Sequence, residues 1–373
     1  MKLYDSCAQG VIELDPGPIV TLYTCGITPY DAAHIGHGAV YVLYDVLQRR
    51  LRDLGHETRC VRNITDVDDD LLKKAREMGV NYLDLAAEQI ALFDTSMKAL
   101  NLLPAWSEPR ATSAIPDILR HIGSLLDSKL AYQSNVAVYF DVHSVADFGS
   151  LSHLSETEML AITKERGGNP EDPAKRNPLD VVLWQPSQAD EPVWQSRWGP
   201  GRPGWHVECV ALSLREHGGE TLDIHGGGSD LLFPHHECER AQAEAVMGTV
   251  FSRRWVHVGM VKYRGEKMSK SLGNLVFIHD LLKNYAPGAI RLALLSHHYA
   301  ESWEWNDLLM DQAADRYARY ASLGNGEAGI NEVRERLDDN LDTPSIIDIL
   351  DQEAKSSKGV SKTLELLGIP VTT

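Results

Sequence analysis

Two kinds of side chain could do chemistry in this sequence: paired histidines and lysines suited to a nucleotide, and separated thiols and imidazoles suited to a metal. His34 and His37 straddle Gly36 in HIGH, just after the apolar run IVTLY that ends at Cys25-Gly26. Some 230 residues later, Lys267 and Lys270 stand beside Ser269 and Ser271 in GEKMSKSLGN. Glycines in the first segment would let a nucleotide approach the backbone, and a helix N-terminus favours phosphate charge. Two mobile ammonium groups beside hydroxyls suit the charge that develops as pyrophosphate leaves a triphosphate. Either tetrapeptide alone is weak, since paired lysines are by default a solvated surface. In this order, with strand-helix units around each, they form a specific signature of an ATP-dependent adenylating enzyme. His34, His37, Lys267 and Lys270 are the catalytic candidates.

The metal candidates are Cys25, Cys209 in GWHVEC and His235 in FPHHECE, with Glu239 as an optional fourth. They are too far apart for a compact finger, but each follows or adjoins an expected strand end, where a parallel sheet would bring them together. Zinc on two thiolates and one imidazole keeps a position open for a substrate. A cysteine thiolate would bind there far better than a serine hydroxyl, giving discrimination without an editing domain. Without the nucleotide motifs, three unrelated buried residues would be the simpler reading. His236 reads as a packing or hydrogen-bonding histidine.

Other segments could complete a nucleotide site. GGGSD, Gly226 to Asp230, offers backbone approach to a ribose or adenine, with Asp230 as an acceptor. Trp205 could wall an amino-acid pocket or sit in the core. Asn63, Ile64 and Thr65 end a strand and could touch an adenylate, whereas the following DVDDD reads as a solvated helix start.

The elements that must position these residues alternate strand and helix. Val40, Leu43, Tyr44, Leu47 and Leu51 recur at helical spacing after HIGH, completing a strand-loop-helix unit that places ligands at the carboxyl ends of parallel strands. Residues 1–80 form the first half of a Rossmann-like catalytic domain. Residues 81–204 are a mainly helical insertion with a brief strand pair near AYQSNVAVYFDV and a Pro- and Gly-rich connection from 165. Residues 205–300 return to strand and helix as the second half, and 301–373 form a short C-terminal helical domain. The fold class is α/β.

Bulk composition fits an ordinary soluble protein. The 373 residues are 43% hydrophobic and 24% charged, with no stretch long enough to span a membrane and a polar start unlike a signal peptide. Five cysteines without a paired framework suit reduced thiols in the cytoplasm. A net charge of -17 lowers the prior for gripping a nucleic-acid backbone.

YTCGITPYDAAHIGHG, RNITDVDD, GRPGWHVEC, DIHGGGSDLLFPHHE and GEKMSKSLGN together resemble the class I aminoacyl-tRNA synthetase group, and within it the cysteine-activating branch, over nearly the whole chain. The resemblance implies one bound zinc on Cys25, Cys209 and His235, and cysteinyl-AMP made from L-cysteine and ATP with Mg2+. It implies that Cys25, Gly26, Ile27 and Thr28, with Asn63, Ile64, Thr65, Gly228, Ser229, Asp230 and Val261, cradle the adenylate, and that Trp205 closes the pocket. Val40 stands where the branch usually has Thr. Two acceptors are known in the branch: a tRNA hydroxyl, and the amine of glucosaminyl-inositol in mycothiol biosynthesis. Ile27 and Pro29 in CGITPYD and the element KERGGNP (Lys164 to Pro170) are similar to the sugar-amine ligases, with Asn169 in place of Asp. The chain also ends soon after LDDNLDTP, leaving no room for an anticodon-binding domain. Residues 326–373 carry ten acidic against five basic residues, a poor RNA partner. Glu239 and His225, by contrast, are synthetase-like. The expectation is a cytoplasmic, monomeric ligase with small-molecule substrates and neither nucleic acid nor membrane as partner. A synthetase without an anticodon domain, or a cysteine ligase with another amine acceptor, is the alternative, and a non-catalytic cysteine binder is a third reading.

Overall fold

The computed structural model describes residues 1–268 and 273–370; Lys270 lies outside them, and Lys267 is described by its backbone alone. A four-stranded parallel sheet forms the centre: β1 (Ile19–Ile27), β2 (Glu57–Ile64), β3 (Ile224–Gly228) and β4 (Trp255–Val258), in the order β4-β3-β1-β2. The order reverses on either side of β1, and at such a switch point the carboxyl ends of adjacent strands open a crevice for ligands. Strand β1 is buried at Val20, Leu22, Tyr23 and Thr24, as a parallel strand covered on both faces must be.

Helix α1 (Ile35–Asp53) follows β1 and buries Ile35, Val42, Val46, Leu47 and Leu51 at helical spacing. Helix α2 (Asp69–Met78) follows β2, with Asp68 as its N-cap and Gly79 in the left-handed conformation at its end. The DVDDD run therefore supplies the cap and first turn of this helix. Two further helices carry Cys209 and Glu239 respectively: α3 (Trp205–Glu216) and α4 (Glu237–Met247), which pack on each other.

Between the sheet's halves lie helices Tyr82–Ala99, Ile115–Asp127 and Glu156–Glu165, and also a four-stranded antiparallel sheet. That sheet extends the expected pair Ala131–Gln133 and Val138–Phe140 by Val181–Gln185 and Arg202–Pro203. The added strands sit in the Pro- and Gly-rich stretch. Their pairing is non-local, so short-range periodicity does not display it. A second small sheet joins Val261–Tyr263 to Glu266–Lys267 and to Trp303–Trp305. Helices Asp307–Ala321, Ile330–Asp338, Thr343–Lys355 and Ser361–Leu366 complete the chain. Their end is tied to α1 by a buried Arg291, which meets Asp45 at 2.6 Å and the carbonyl of Leu367 at 2.6 Å. Among the described residues no helix is long and apolar enough to cross a membrane.

Candidate active site and metal centre

HIGH builds its own helix cap. His34 is the N-cap of α1, and its Nδ1 accepts from the Gly36 amide at 3.1 Å. His37 reaches back, its Nδ1 accepting from the His34 amide at 3.3 Å, and the two rings stack with centroids 4.0 Å apart. Reciprocal capping of this kind is usually done by Ser or Thr with Glu; here imidazoles do it, which fixes both rings at the positive end of the helix. Gly36 is required locally, because a Cβ there would stand 2.8 Å from His34 Cε1.

The adjoining strand ends are stitched together at one point. Asn63, fully buried, accepts the Gly26 amide on Oδ1 at 2.9 Å and donates from Nδ2 to Thr65 Oγ1 at 3.1 Å. The Thr65 amide donates to the Ile27 carbonyl at 2.9 Å, beside Ile64 at the end of β2. A Cβ at Gly26 would lie 1.5 Å from the Asn63 carbonyl oxygen. Gly26 is therefore what lets the two backbones cross, leaving Ile27 and half-buried Thr28 at the rim. Gly226 has a similar role: a Cβ there would meet the Val256 carbonyl at 1.8 Å and the Tyr44 hydroxyl at 2.0 Å. Gly228 lies next to Val40 and Asp230, with a Cβ position 3.9 Å from Val40 Cγ2 and 2.6 Å from Asp230 Oδ1. Ser229 and Asp230 are half-buried, and Val261 is buried at the start of its strand. Val40 thus faces the glycine run with a methyl and no hydrogen-bonding group.

Cys25, Cys209, His235 and Glu239 converge from β1, α3, the turn before α4, and α4, with their ligand atoms all within 4.8 Å of one another. All four are buried. His235 Nδ1 meets His206 Nδ1 at 2.8 Å, which turns Nε2 toward the thiols and to 2.8 Å from Glu239 Oε1. Trp205 stacks on His235 with ring centroids 4.0 Å apart. Cys25 Sγ lies 3.3 Å from Glu239 Oε1. His235 Nε2 and Glu239 Oε2 are fully buried and make no well-aligned hydrogen bond among the described residues, although each lies within ion-pair distance of a buried partner, Glu239 Oε1 and His225 Nε2. A buried imidazole and carboxylate held beside two thiols fit a tetrahedral zinc, which prefers sulfur and nitrogen.

A second set, Cys25, His225, His236 and Glu239, meets the same spacing. The first set fits zinc better, because it alone contains both thiols. In the second, His236 is already engaged: Nε2 lies 3.3 Å from Cys25 Sγ and Nδ1 2.7 Å from His257 Nε2, and His257 continues to Ser6 Oγ at 2.7 Å. His236, His257 and His206 form a neutral shell, since burial pushes each well down, His257 and His206 to about 3. His225 lies 3.3 Å from Glu239 Oε2 and stacks on Tyr23. His206 and His257 did not stand out in the sequence, because a histidine's partner across the fold leaves no local pattern.

The charges settle around Glu239. Burial alone would raise its carboxyl, but His235 and His225 outweigh burial and hold it well below the usual range. Burial would likewise depress His235, yet Glu239 and Cys209 raise it to about 10. The thiols split: Cys209 falls to about 7, chiefly because Cys25 donates to it, while burial drives Cys25 up. A metal ion bound between the two thiols would displace their protons.

The KERGGNP element is placed against this centre. Arg166 donates from Nη1 to the carbonyl of Phe233, two residues before His235. Gly168 closes on the Thr163 carbonyl at 2.8 Å, and Asn169 Oδ1 accepts the Glu171 amide at 3.2 Å.

Residues 13–315 match the catalytic domain of class I (C) tRNA synthetases. The chain is 46% identical over 365 residues to an L-cysteine:1D-myo-inositol 2-amino-2-deoxy-alpha-D-glucopyranoside ligase of Parafrankia sp., covering 96% of this chain and 82% of that one. A ligase of the same name from Streptomyces griseus is 43% identical, covering 99% of this chain and 95% of its own. Among solved structures, methionyl-tRNA synthetase of Mycobacterium tuberculosis with methionyl-adenylate superimposes with a TM-score of 0.65 at 17% identity, over 94% of this chain and 87% of that one. At that identity the likeness shows the fold alone. The sheet order and the sequence relationship agree, and the chain belongs to the cysteine branch of the class I tRNA-synthetase family, within the family of L-cysteine:1D-myo-inositol 2-amino-2-deoxy-alpha-D-glucopyranoside ligases.

Proposed function

We propose that this protein activates L-cysteine with ATP and transfers it to the amine of glucosaminyl-inositol, a step in mycothiol biosynthesis. The observation that carries the reading is the convergence of Cys25, Cys209 and His235 at the carboxyl edge of the same sheet whose β1-α1 junction is capped by His34 and His37. A thiol-binding centre beside a phosphate-binding helix end fits activation of cysteine and of little else.

Cys25, Cys209 and His235 would hold a zinc ion, which when bound would supply a Lewis acid to favour the thiolate form of a substrate thiol. Trp205, stacked on His235, would close over the amino acid. Glycines 26 and 228 would let the adenylate lie against the strand ends, with Asp230 accepting from the ribose. The cysteine carboxylate attacks the α-phosphate; His34 and His37 contact the phosphates of Mg2+-bound ATP, and Lys267 and Lys270 stabilise departing pyrophosphate. The acceptor amine then attacks the cysteinyl carbonyl and AMP leaves. Most of the rate gain comes from positioning and fixed charge. All five cysteines are free, which suits a cytoplasmic enzyme, and we place it there as a monomer.

One observation favours a second reading, cysteinyl transfer to tRNA: Glu239 joins the metal cluster, as in the synthetases of the branch. Cys25→Ser tests the shared activation step. Cysteine-dependent ATP-pyrophosphate exchange should fall at least a hundredfold; unchanged exchange would refute the zinc-thiolate reading.

A further inference from the structure

The segment that leads into Trp205 is pinned flat against its neighbours. A Cβ at Gly201 would stand 2.2 Å from the Gln185 carbonyl oxygen, and one at Gly204 would stand 2.1 Å from that of Val182. The Gly204 amide donates to the Leu183 carbonyl at 3.0 Å, and Gly201 exchanges backbone bonds with Trp194 at 2.8 and 3.0 Å. Between the two glycines stands Arg202, its side chain only 6% exposed. Trp205 follows at once, opening α3 and laying its ring on His235.

Arg202 is held by carboxylates from two separate parts of the chain. Its Nε donates to Glu191 Oε2 at 2.8 Å, and its Nη2 donates to Asp69, the first residue of α2. The same Glu191 oxygen accepts the Gln188 amide at 3.0 Å, while Oε1 lies 3.4 Å from Arg76 Nη2. Arg76, in the last turn of α2, also meets Asp190 at 2.6 Å. The hairpin that ends at Arg202 therefore grips α2 from residue 69 to residue 76, about 10 Å of helix. Burial opposes both central charges, yet Arg202 holds the Glu191 carboxyl below its usual range, and Glu191 and Asp69 keep Arg202 ionised.

Helix α2 is itself fixed to the adenylate side. Asp66, in the short link from β2, is buried and accepts from Thr112 through its amide at 2.9 Å and its hydroxyl at 2.6 Å. Just before it, Asn63 and Thr65 are bonded to Gly26 and Ile27. An unbroken line of contacts thus runs from the strand ends, through α2 and Arg202, to Trp205. The exposed members of this network add little stability, and a buried ion pair roughly offsets its own desolvation. What the guanidinium supplies is direction, because its donors sit in a rigid planar fork.

We propose that Arg202 is a positioning residue for cysteine binding: by bridging α2 to the segment before Trp205, it sets the pocket wall against the adenylate cradle. The inference deepens the cysteine-activation reading above and rests on it. Arg202 acts through Trp205, whose ring it holds over the metal centre. Loosening the bridge leaves the metal ligands and the strand-end glycines where they are. The loss therefore falls on the preorganisation of the amino-acid pocket, and so on cysteine affinity.

The test compares Arg202→Lys, Asp69→Asn and the double variant with the parent in cysteine-dependent ATP-pyrophosphate exchange. KM for cysteine and for ATP are measured separately, alongside zinc content and the thermal melt. Lys keeps the charge but loses the fork, and Asp69 is 72% exposed, so Asn there leaves the core intact. The expected result is a cysteine KM about tenfold above the parent's in Arg202→Lys and about threefold in Asp69→Asn. ATP KM, kcat and zinc content should stay within about twofold, a split that general loosening of the fold would not give. The double variant should match Arg202→Lys within about twofold, because both changes cut one bridge. Equal rises in both KM values, or an earlier melt with an unchanged cysteine KM, would reduce Arg202 to a structural role and overturn the proposal. Should Arg202→Lys fold poorly, Asp69→Asn decides alone, and an unchanged cysteine KM there overturns it. A zinc-loaded parent without cysteine-dependent exchange would instead refute the activation reading itself.

Discussion

His206 and His235 face each other through their Nδ1 atoms at 2.8 Å. Only one of the two can carry the proton between them. His206 is neutral, pushed to about 3 first by burial and then by the His235 charge, so it can accept from His235 Nδ1–H. With Nδ1–H held by His206, His235 presents Nε2 toward Cys25 and Cys209, and a metal ion would displace the Nε2 proton and bind there. The outer partner of a metal-binding histidine typically contributes ten- to hundredfold in affinity. His206→Ala should weaken zinc binding about tenfold or more, read by chelator competition. An unchanged affinity would mean that Trp205 stacking alone orients the ring.

Glu239 is the member of the cluster whose role can be isolated. Its Oε1 reaches both His235 Nε2 and Cys25 Sγ, so a metal at the centre would meet it. Glu239→Gln keeps the shape and removes the charge. Zinc affinity should fall about tenfold, and X-ray absorption should show one oxygen ligand lost from the metal-loaded, cysteine-free protein. A spectrum identical to the parent's would place the carboxylate outside the coordination sphere.

Gly26→Ala should be among the most damaging single-methyl changes in the chain. The new Cβ would lie 1.5 Å from the Asn63 carbonyl oxygen, a backbone atom that no rotamer change can move. We expect a loss of about 3 kcal/mol or more, seen as an early thermal melt. A melt within a degree or two of the parent's would mean that β1 and β2 can separate freely at their ends.

Acid lability should trace partly to a histidine remote from the site. His121 is 5% exposed, its Nε2 has no partner among the described residues, and burial lowers it to about 4. The unfolded value is near 6.5, so its folded pKa is depressed. As a base, it must stay neutral to remain buried. Stability is therefore full above about pH 6.5 and drains away as pH falls toward 4, at about 1.4 kcal/mol per unit. His121→Met should reduce the stability lost between pH 7 and pH 5 by about 2 kcal/mol, measured by urea melts at both values. An equal loss in parent and variant would put the lability elsewhere.

The sequence was legible wherever a local pattern carried the information. Helical spacing from Val40 to Leu51 defines α1, and the strand-to-loop passages at Cys25 and Gly228 mark the carboxyl edge of a parallel sheet. That edge is where Cys25 and His235 come together, while Cys209 reaches the same point from within helix α3 rather than from a strand end of the parallel sheet. What stayed hidden is pairing across the fold. Residues 181–185 look like part of a loop-rich connection, yet they are the third strand of an antiparallel sheet, paired on one side with Val138–Phe140, some forty residues earlier, and on the other with Arg202–Pro203. The cap that His34 and His37 build is equally invisible, since imidazoles are not the usual capping side chains. The internal contacts of Asn63 and Gly226, to the Gly26 amide and to the Val256 carbonyl and Tyr44 hydroxyl, were equally hidden.

The most direct measurement offers the zinc-loaded protein ATP and labelled cysteine, with glucosaminyl-inositol in one tube and bulk tRNA in another. The expected result is a base-stable cysteinyl amide on the sugar and no label on RNA. A base-labile cysteinyl ester on tRNA, with no amide on the sugar, would contradict the ligase reading and make Glu239 the better guide to function.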